Sequence, residues 1–379
     1  MAFYETQILD YLNAHRTEIF EDLLKLVKAQ SPTRNLALTS QCTTTLRELV
    51  KTRLGLEPQV FSQPDAADHL QFTYGTQAEQ ILLVGHYDTI WEADQIPLRE
   101  TDDEIYGPGI FDMKAGVIAH IWAVKACKEL DIPLDKKLVL FFNSDEETGS
   151  HTSRAPIEQL ARQSAAAIVT EATEAVTGNI KCARKGVRFY SLEITGKASH
   201  AGNDPFGGAS AINEAAHQIL AIHALTDKVS GTTLNVGVIH GGTRPNIIAD
   251  HVHLEIDLRT ATMAEAERVH QQILNLKPND PRCTLQLDYS DPGRPPLENN
   301  AANQRLYEVA KDCASRLGFA LGKTAVGGGS DGNFTSAVGC PTLDGMGAVG
   351  DGPHAIHEHI KKEPYLTRIA LLAATITQL

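Results

Sequence analysis

The amino-acid sequence predicts an α/β domain interrupted by a smaller α+β domain, and two patterns carry that expectation. First, three short apolar runs (80–84, 137–143 and 165–169) each stop at a histidine or at acidic residues. Apolar runs without alternation mark strands buried on both faces, as in a parallel sheet. In open α/β sheets, ligands sit beyond the carboxyl ends of such strands. Second, from about residue 181 the pattern changes to alternating strands and amphipathic helices in the order βαββαβ. That order belongs to a ferredoxin-like unit, here of about 110 residues.

Composition bounds the rest. At 379 residues the chain suits two domains. With 42% hydrophobic and 21% charged residues it is an ordinary globular sequence. A formal net charge of -13 argues against nucleic acid or an anionic membrane as partner. It fits a protein that holds cations, and equally one kept soluble by acids. The six cysteines (Cys42, Cys127, Cys182, Cys283, Cys313, Cys340) include no Cys-x-x-Cys pair. That speaks against a thiolate zinc site or a disulfide framework and for a reducing compartment. No run approaches the roughly 20 apolar residues of a membrane span. The expected location is the cytoplasm.

In chain order, residues 1–28 place Ile8, Leu9, Leu12, Ile19, Leu23, Leu24 and Val27 at helical spacing, one or two amphipathic helices rather than a leader peptide. Ser31-Pro32-Thr33 is a turn, and 39–54 is another helix. After the strand at 80–84, Tyr106-Gly107-Pro108-Gly109-Ile110 is a breaker-rich loop leading into a helix over 115–130. The insertion comprises strands at 187–195, 233–240, 251–259 and 283–289 with helices at 208–225 and 263–276. A return rich in proline (Pro292, Pro295, Pro296), a helix at 303–317, a glycine loop at 327–332 and an apolar helix at 365–379 complete the chain.

The strand ends collect His86, Asp88, Asp112, Glu146, Glu147, Glu171 and a late histidine near His354. His86 and Asp88 lie two apart on an extended chain, so their side chains point the same way. An imidazole beside a carboxylate suits a metal ligand whose second nitrogen is held by an acid. Oxygen and imidazole donors without thiolate suit zinc, cobalt or manganese. Two ions bridged by Asp112, with His86, Glu171, Glu147 and His354 as further ligands, form a sensible set. The charge of two divalent ions is then cancelled by three carboxylates and a bridging hydroxide. Glu146 is left over as a general base. Glu174 competes with Glu171 for its place, and His357 and His359 compete with His354. The triple glycine lacks the Gly-Lys-Ser/Thr ending of a phosphate loop.

Gly85-His86-Tyr87-Asp88-Thr89, Tyr106-Gly107-Pro108-Gly109-Ile110 to Asp112-Met113-Lys114, and Ser144-Asp145-Glu146-Glu147-Thr148-Gly149-Ser150 resemble the di-zinc metallopeptidase family of glutamate carboxypeptidases, acetylornithine and succinyl-diaminopimelate deacylases, and aminoacylases. With Ser153-Arg154 they look most like the bacterial glutamate carboxypeptidases. Gly196-Lys197-Ala198-Ser199-His200-Ala201-Gly202 and Arg244-Pro245-Asn246-Ile247-Ile248 resemble the family's inserted domain, so the likeness covers most of the chain. It implies a mixed, mostly parallel sheet sandwiched by helices (1–180 and 291–379) with a ferredoxin-like dimerisation and lid domain (181–290).

The resemblance also implies roles. His86 and Glu171 hold one zinc, Glu147 and His354 the other, and Asp112 bridges them. Asp88 orients His86, and Glu146 takes a proton from the attacking water. His200 steadies the oxyanion across a homodimer interface. Asn246 and Arg259 clamp a substrate carboxylate, unless Arg259 is spent on a salt bridge along its strand. Gly328, Gly329 and Ser330 line the same pocket with backbone donors. Arg184 and Lys185 are either a second cationic contact or an exposed basic pair. The expected activity is a carboxypeptidase favouring an acidic C-terminal residue, with an N-acyl-amino-acid deacylase as the alternative. A binding protein without hydrolytic activity is disfavoured, because the base and every ligand are present.

Overall fold

The structure, a computed structural model, describes residues 3–290 and 293–379. Met1 and Pro292, which fall in the expected first helix and the proline-rich return, lie outside them. Helices α1 (Glu5–Ala14), α2 (Arg16–Lys28) and α3 (Leu36–Leu54) lead into strands β1 (Gln59–Phe61), β2 (His69–Tyr74) and β3 (Gln80–His86). The short β4 (Arg99–Glu100) and β5 (Glu104–Tyr106) precede α4 (Ala115–Glu129), β6 (Lys137–Asn143), α5 (Arg154–Arg162), β7 (Ala166–Val169) and β8 (Ile180–Arg184). Then come β9 (Gly186–Thr195), α6 (Ala211–His223), β10 (Thr233–Gly241), β11 (His251–Thr260), α7 (Met263–Leu274) and β12 (Thr284–Asp288). The chain ends with α8 (Ala301–Arg316), β13 (Lys323–Val326), α9 (Gly332–Ala337), β14 (Thr342–Leu343), β15 (Gly350–Asp351), β16 (His359–Lys361) and α10 (Lys362–Thr377).

Two compact units result: 1–183 with 299–326 and 330–379, and 184–298 with 327–329. The central sheet of the first has the order β1-β2-β6-β3-β7-β14. β3 pairs parallel with β6 and β7, and β14 parallel with β7, while β1 and β2 run antiparallel. α4 and α5 are the crossovers that parallel neighbours require. Alternate residues of β3 enter opposite layers. Ile81 and Leu83 pack in the large core with α1 to α4, α8 and α10, and Leu82 and Val84 in the small core with α5 and Phe334 of α9. This two-sided burial is why the strand sequence does not alternate. Truncating Leu83 to alanine would cost about 2–5 kcal/mol.

Sequence reasoning placed no strands at β1 and β2. β1 has only three residues, two of them exposed, and β2 buries Leu70 and Phe72 on one face but, on the other, only the polar His69. Helix starts also differ from expectation because side-chain caps set them. Asn35, Ser210 and Asn300 accept the N–H of Leu38, Asn213 and Asn303, so α3, α6 and α8 begin at Leu36, Ala211 and Ala301.

The second unit has the sheet order β10-β11-β9-β12, every pair antiparallel, with the ferredoxin-like element order. Tyr190, Leu192, Ile194, Leu254, Ile256 and Leu258 pack against Ala211, Ala215, Ile222, Val269 and Ile273 of the two helices. The unit runs to 298 rather than 290, because Arg294 exchanges backbone hydrogen bonds with Val187 and Leu297 with Arg184. Residues 327–329 group with it too, held by the Arg184 Nη1 donor on the carbonyls of Gly328 and Gly329. No helix of the described residues is long and apolar enough to cross a membrane. All six cysteines are buried and unpaired.

Candidate metal centre

β3 delivers His86 at its carboxyl end, and Asp88 follows, fully buried. His86 Nδ1 lies 3.1 Å from the Asp88 carbonyl oxygen and 3.4 Å from its carboxylate. The Asp88 carboxylate also accepts the backbone N–H of Glu146 (3.3 Å) and Glu147 (3.2 Å) and the Thr33 hydroxyl (2.8 Å). One acid thus fixes both a histidine and the short helical turn Glu146–Thr148, a second connection that the sequence reading did not anticipate.

Asp112 sits in an irregular helical turn, Ile110–Lys114, whose residues Asp112 and Met113 depart from helical φ/ψ. Gly109 opens the turn with φ 68, and a Cβ there would meet Thr89 Cγ2 at 2.2 Å. The buried Lys114 donates Nζ to the carbonyls of Leu26 (3.2 Å) and Ala29 (2.8 Å), tying the turn to the end of α2. Burial lowers the Lys114 ammonium pKa. Glu171 follows β7, and α4 packs close beside it because Gly116 has no Cβ to strike the Thr170 carbonyl, which would lie at 2.0 Å. His354 lies between β15 and β16 with φ 61, a left-handed conformation uncommon for a residue other than glycine.

These elements converge. His86 Nε2 is 3.2 Å from Asp112 Oδ1 and 3.4 Å from Glu171 Oε1. His354 Nε2 is 3.3 Å from Asp112 Oδ2 and 3.2 Å from Glu147 Oε2. Asp112 therefore offers one oxygen to each side. Within each trio, His86–Asp112–Glu171 and Asp112–Glu147–His354, the ligand atoms lie within 4.8 Å of one another. Nitrogen and oxygen donors at this spacing fit two divalent cations sharing Asp112. Glu174 instead caps a local turn at Thr177 and Val176. His357 is exposed, and His359 pairs with Glu104. Neither belongs to these trios.

The charge pattern points the same way. Burial disfavours a charged His86, but its hydrogen bonds to Asp112, Asp88 and Glu171 outweigh it and push the ring well above its usual value. Hydrogen bonds to Asp112 and Glu147 push His354 up to about 10. Burial pushes Glu147 up to about 7 against the pull of His354. Burial also opposes charge on Asp112, yet the two histidines hold its carboxyl far below the usual range.

A cleft of about 230 Å³ opens beside Glu147, with Thr33, Arg34, Thr89 and Ile90 on its walls. Arg34, exposed on that wall, is a cation that the sequence reading passed over. Glu358, four residues after His354, is fully buried. Its carboxyl is pushed up to about 7 by burial, against the pull of backbone N–H groups.

The residues expected to contact substrate belong mostly to the second unit. His200 Nδ1 accepts the N–H of Gly202 (3.1 Å) and Asn203 (3.0 Å), which leaves the ring hydrogen on Nε2. Asn246 is exposed. Arg259 departs from its expected role as a free fork. Its Nε and Nη2 are taken by Asp257 at 2.7 and 2.8 Å, two residues earlier on the same face of β11, so the strand salt bridge is what forms. Gly328 and Gly329 turn their carbonyls to Arg184, which is correspondingly buried rather than exposed. Ser330, in the first unit, spends its hydroxyl on Asp344 and accepts the Gly332 N–H (3.0 Å), so its side chain is structural.

A profile of peptidase family M20/M25/M40 matches residues 82–378. The chain belongs to this family. Carboxypeptidase G2 from Pseudomonas sp. (strain RS-16) is 29% identical over 293 residues, covering 74% of this M20 chain and 69% of that protein. Acetylornithine deacetylase from Klebsiella pneumoniae (strain 342) is 31% identical over 226 residues, 54% of this chain and 57% of the deacetylase. Among solved structures, aminopeptidase PepT from Bacillus cereus ATCC 10987 superposes with a TM-score of 0.79 at 24% identity, covering 96% of this chain and 98% of PepT. The protein is thus an M20 hydrolase of peptidase or deacylase type with a candidate metal-binding cluster.

Proposed function

We propose that this M20 protein is a two-metal exopeptidase that hydrolyses the amide bond next to a C-terminal amino acid. The observation that carries this reading is Asp112, whose two oxygens each face a separate histidine–carboxylate pair. His86, Glu171 and Asp112 would hold one divalent ion, and Asp112, Glu147 and His354 the other, with zinc the favoured metal and cobalt or manganese able to replace it. When bound, such ions polarise the scissile carbonyl and make water a competent nucleophile at neutral pH.

The protein's own groups do the rest. Glu146 shares a turn with Glu147, and both backbone amides are fixed by Asp88. Glu146 accepts the proton of the attacking water and delivers it to the leaving nitrogen. His200 donates from Nε2 to the developing oxyanion, because backbone N–H groups occupy Nδ1. We assign it to the neighbouring subunit of a homodimer. In support, β10 is an edge strand, and Ile212 and Leu220 of α6 and Ile239 of β10 are exposed. Arg34 on the wall of the cleft beside Glu147 reads the substrate carboxylate, and Asn246, exposed in the second unit, is kept as a candidate substrate contact.

The likeness of its motifs to those of glutamate carboxypeptidases supports a glutamate-like C-terminal residue, and the similarity to carboxypeptidase G2 supports a carboxypeptidase. The second reading, an N-acyl-amino-acid deacylase, is favoured by the likeness to acetylornithine deacetylase. Turnover by zinc- or cobalt-loaded protein on two substrate series separates them. In one series the acyl group varies, and in the other the C-terminal residue of dipeptides and aryl-amino acids varies. Rates governed by the C-terminal residue, acids leading, support the carboxypeptidase. Rates governed by a small acyl group replace it with the deacylase.

A further inference from the structure

Glu358 has no exposed surface and no free lone pair. Its Oε1 accepts the backbone N–H of Phe111 (2.9 Å) and Asp112 (3.0 Å). Its Oε2 accepts the backbone N–H of Gly109 (3.0 Å) and the indole Nε1–H of Trp91 (2.6 Å). Four donors fill the roughly four acceptor positions that a carboxylate offers. Glu358 therefore has nothing left for a metal or a substrate, and its effect must run through the groups it holds.

Those groups are well chosen. Three lie on the turn that carries Asp112, and one is the amide of Asp112 itself. The fourth, Trp91, lies on the chain leaving β3, five residues after His86. Glu358 in turn sits four residues after His354 in the segment between β15 and β16. That segment is closed by the N–H of Ala355 on Gly352 O (2.9 Å) and of Glu358 on Ala355 O (2.9 Å). Its far end is fixed to the strand entering the Asp112 turn, since His359 pairs with Tyr106, Ile360 with Ile105, and Gly107 donates to Glu358 O (3.3 Å). One side chain thus joins the Asp112 turn to the loop carrying His354. Asp112 must present separate oxygens to two histidines at 3.2 and 3.3 Å, and a small rotation of its backbone would spoil one side or the other.

We infer that Glu358 is a positioning residue that aims Asp112 and His354 together and so sets the affinity of the ion held by Asp112, Glu147 and His354. This rests on the two-metal reading above. The distinction matters chemically: a carboxylate held by amides and an indole keeps its geometry whether or not ions are bound, so the site is organised before metal arrives.

The test is Co²⁺ titration of metal-free full-length protein, following heat and the visible Co²⁺ spectrum. Wild type should bind two ions in separable steps. Asp112→Asn probes the underlying reading: if it leaves both steps unchanged, the two-metal centre falls and this inference with it. In Glu358→Gln the amide nitrogen must face a donor, so the step of the ion held by Asp112, Glu147 and His354, identified as the one that Glu147→Gln also weakens, should lose about 10–100-fold in Kd, the range typical of groups supporting metal ligands. The other step should change less, and kcat should recover when Co²⁺ is raised to saturate the affected site, a recovery that general loss of structure would not give. Trp91→Phe keeps the carboxylate and removes one donor, so a loss of roughly 2–10-fold in the same step is expected. If Glu358→Gln does not fold, Trp91→Phe alone decides. Wild-type Kd values for both steps in the folded variants, or a kcat loss that saturating Co²⁺ does not reverse, would overturn the inference.

Discussion

The two units of this protein present their functional residues in opposite ways. In the first, the carboxylates behind the candidate metal ligands are gripped: Asp88 accepts three donors besides lying against His86, and Glu358 accepts four. In the second, His200 and Asn246 are exposed, and Arg259 is held by Asp257 on its own strand and by the Gly327 carbonyl. The first arrangement suits a site whose geometry must exist before substrate arrives, since reactivity falls steeply with misplacement. The second suits side chains that take no part in holding the candidate metal ligands. Substitutions in the two units should therefore fail differently.

The largest effect is expected at Glu146. Glu146→Ala removes the proposed base without removing a ligand, so kcat should fall about 10²–10⁴-fold while both metal-binding steps stay intact. Near-native turnover would remove Glu146 from the mechanism. Next comes His200→Ala, where kcat should fall about 10²–10³-fold with little change in KM and none in metal affinity. A metal-affinity change there would blur the contrast between the units.

The pH response sharpens it further. His354 is raised to about 10 in the folded metal-free protein, above the ordinary imidazole value. Its ion pairs therefore contribute stability that is fully present below about pH 6.5 and is lost as pH rises through about 10. Metal ions need the neutral ring, so they must displace that proton, and affinity should rise over the same window. Titrations at pH 6.5 and 8.5 check this: Co²⁺ should bind more tightly at the higher pH, while the metal-free melting temperature moves the other way. The smallest effect belongs to Arg34→Ala, for which KM should rise several-fold, roughly 3–10-fold, for substrates with a free carboxylate and not for their amides. Equal effects on both would remove Arg34 as the carboxylate reader.

The same contrast explains what could be read from the sequence. Three candidate ligands were legible because each lies at or just beyond the end of a local apolar pattern: His86 after Ile81 to Val84, Glu147 after Leu138 to Phe142, Glu171 after Ala166 to Val169; Asp112 and His354 end no such run and were picked out by the motifs around them. The βαββαβ unit was legible for the same reason, since its strands alternate. The supports were not, because Glu358 meets its partners across sequence separations of 246 to 267 residues, which no local pattern encodes. Asp257 is the instructive miss. It stands two residues before Arg259 on one strand face, so the spacing alone placed a carboxylate beside that guanidinium. The β1 and β2 strands were missed because β1 is short and mostly exposed and β2 mixes two apolar residues with a buried histidine and polar neighbours, which leaves no apolar run.

The most direct test of the central claim is anomalous diffraction at the metal edge from crystals of Co²⁺- or Zn²⁺-loaded protein. The account predicts two peaks about 3.5–4 Å apart on either side of Asp112, one against His86 and Glu171 and the other against Glu147 and His354. A single peak, or peaks that do not share Asp112, would contradict it.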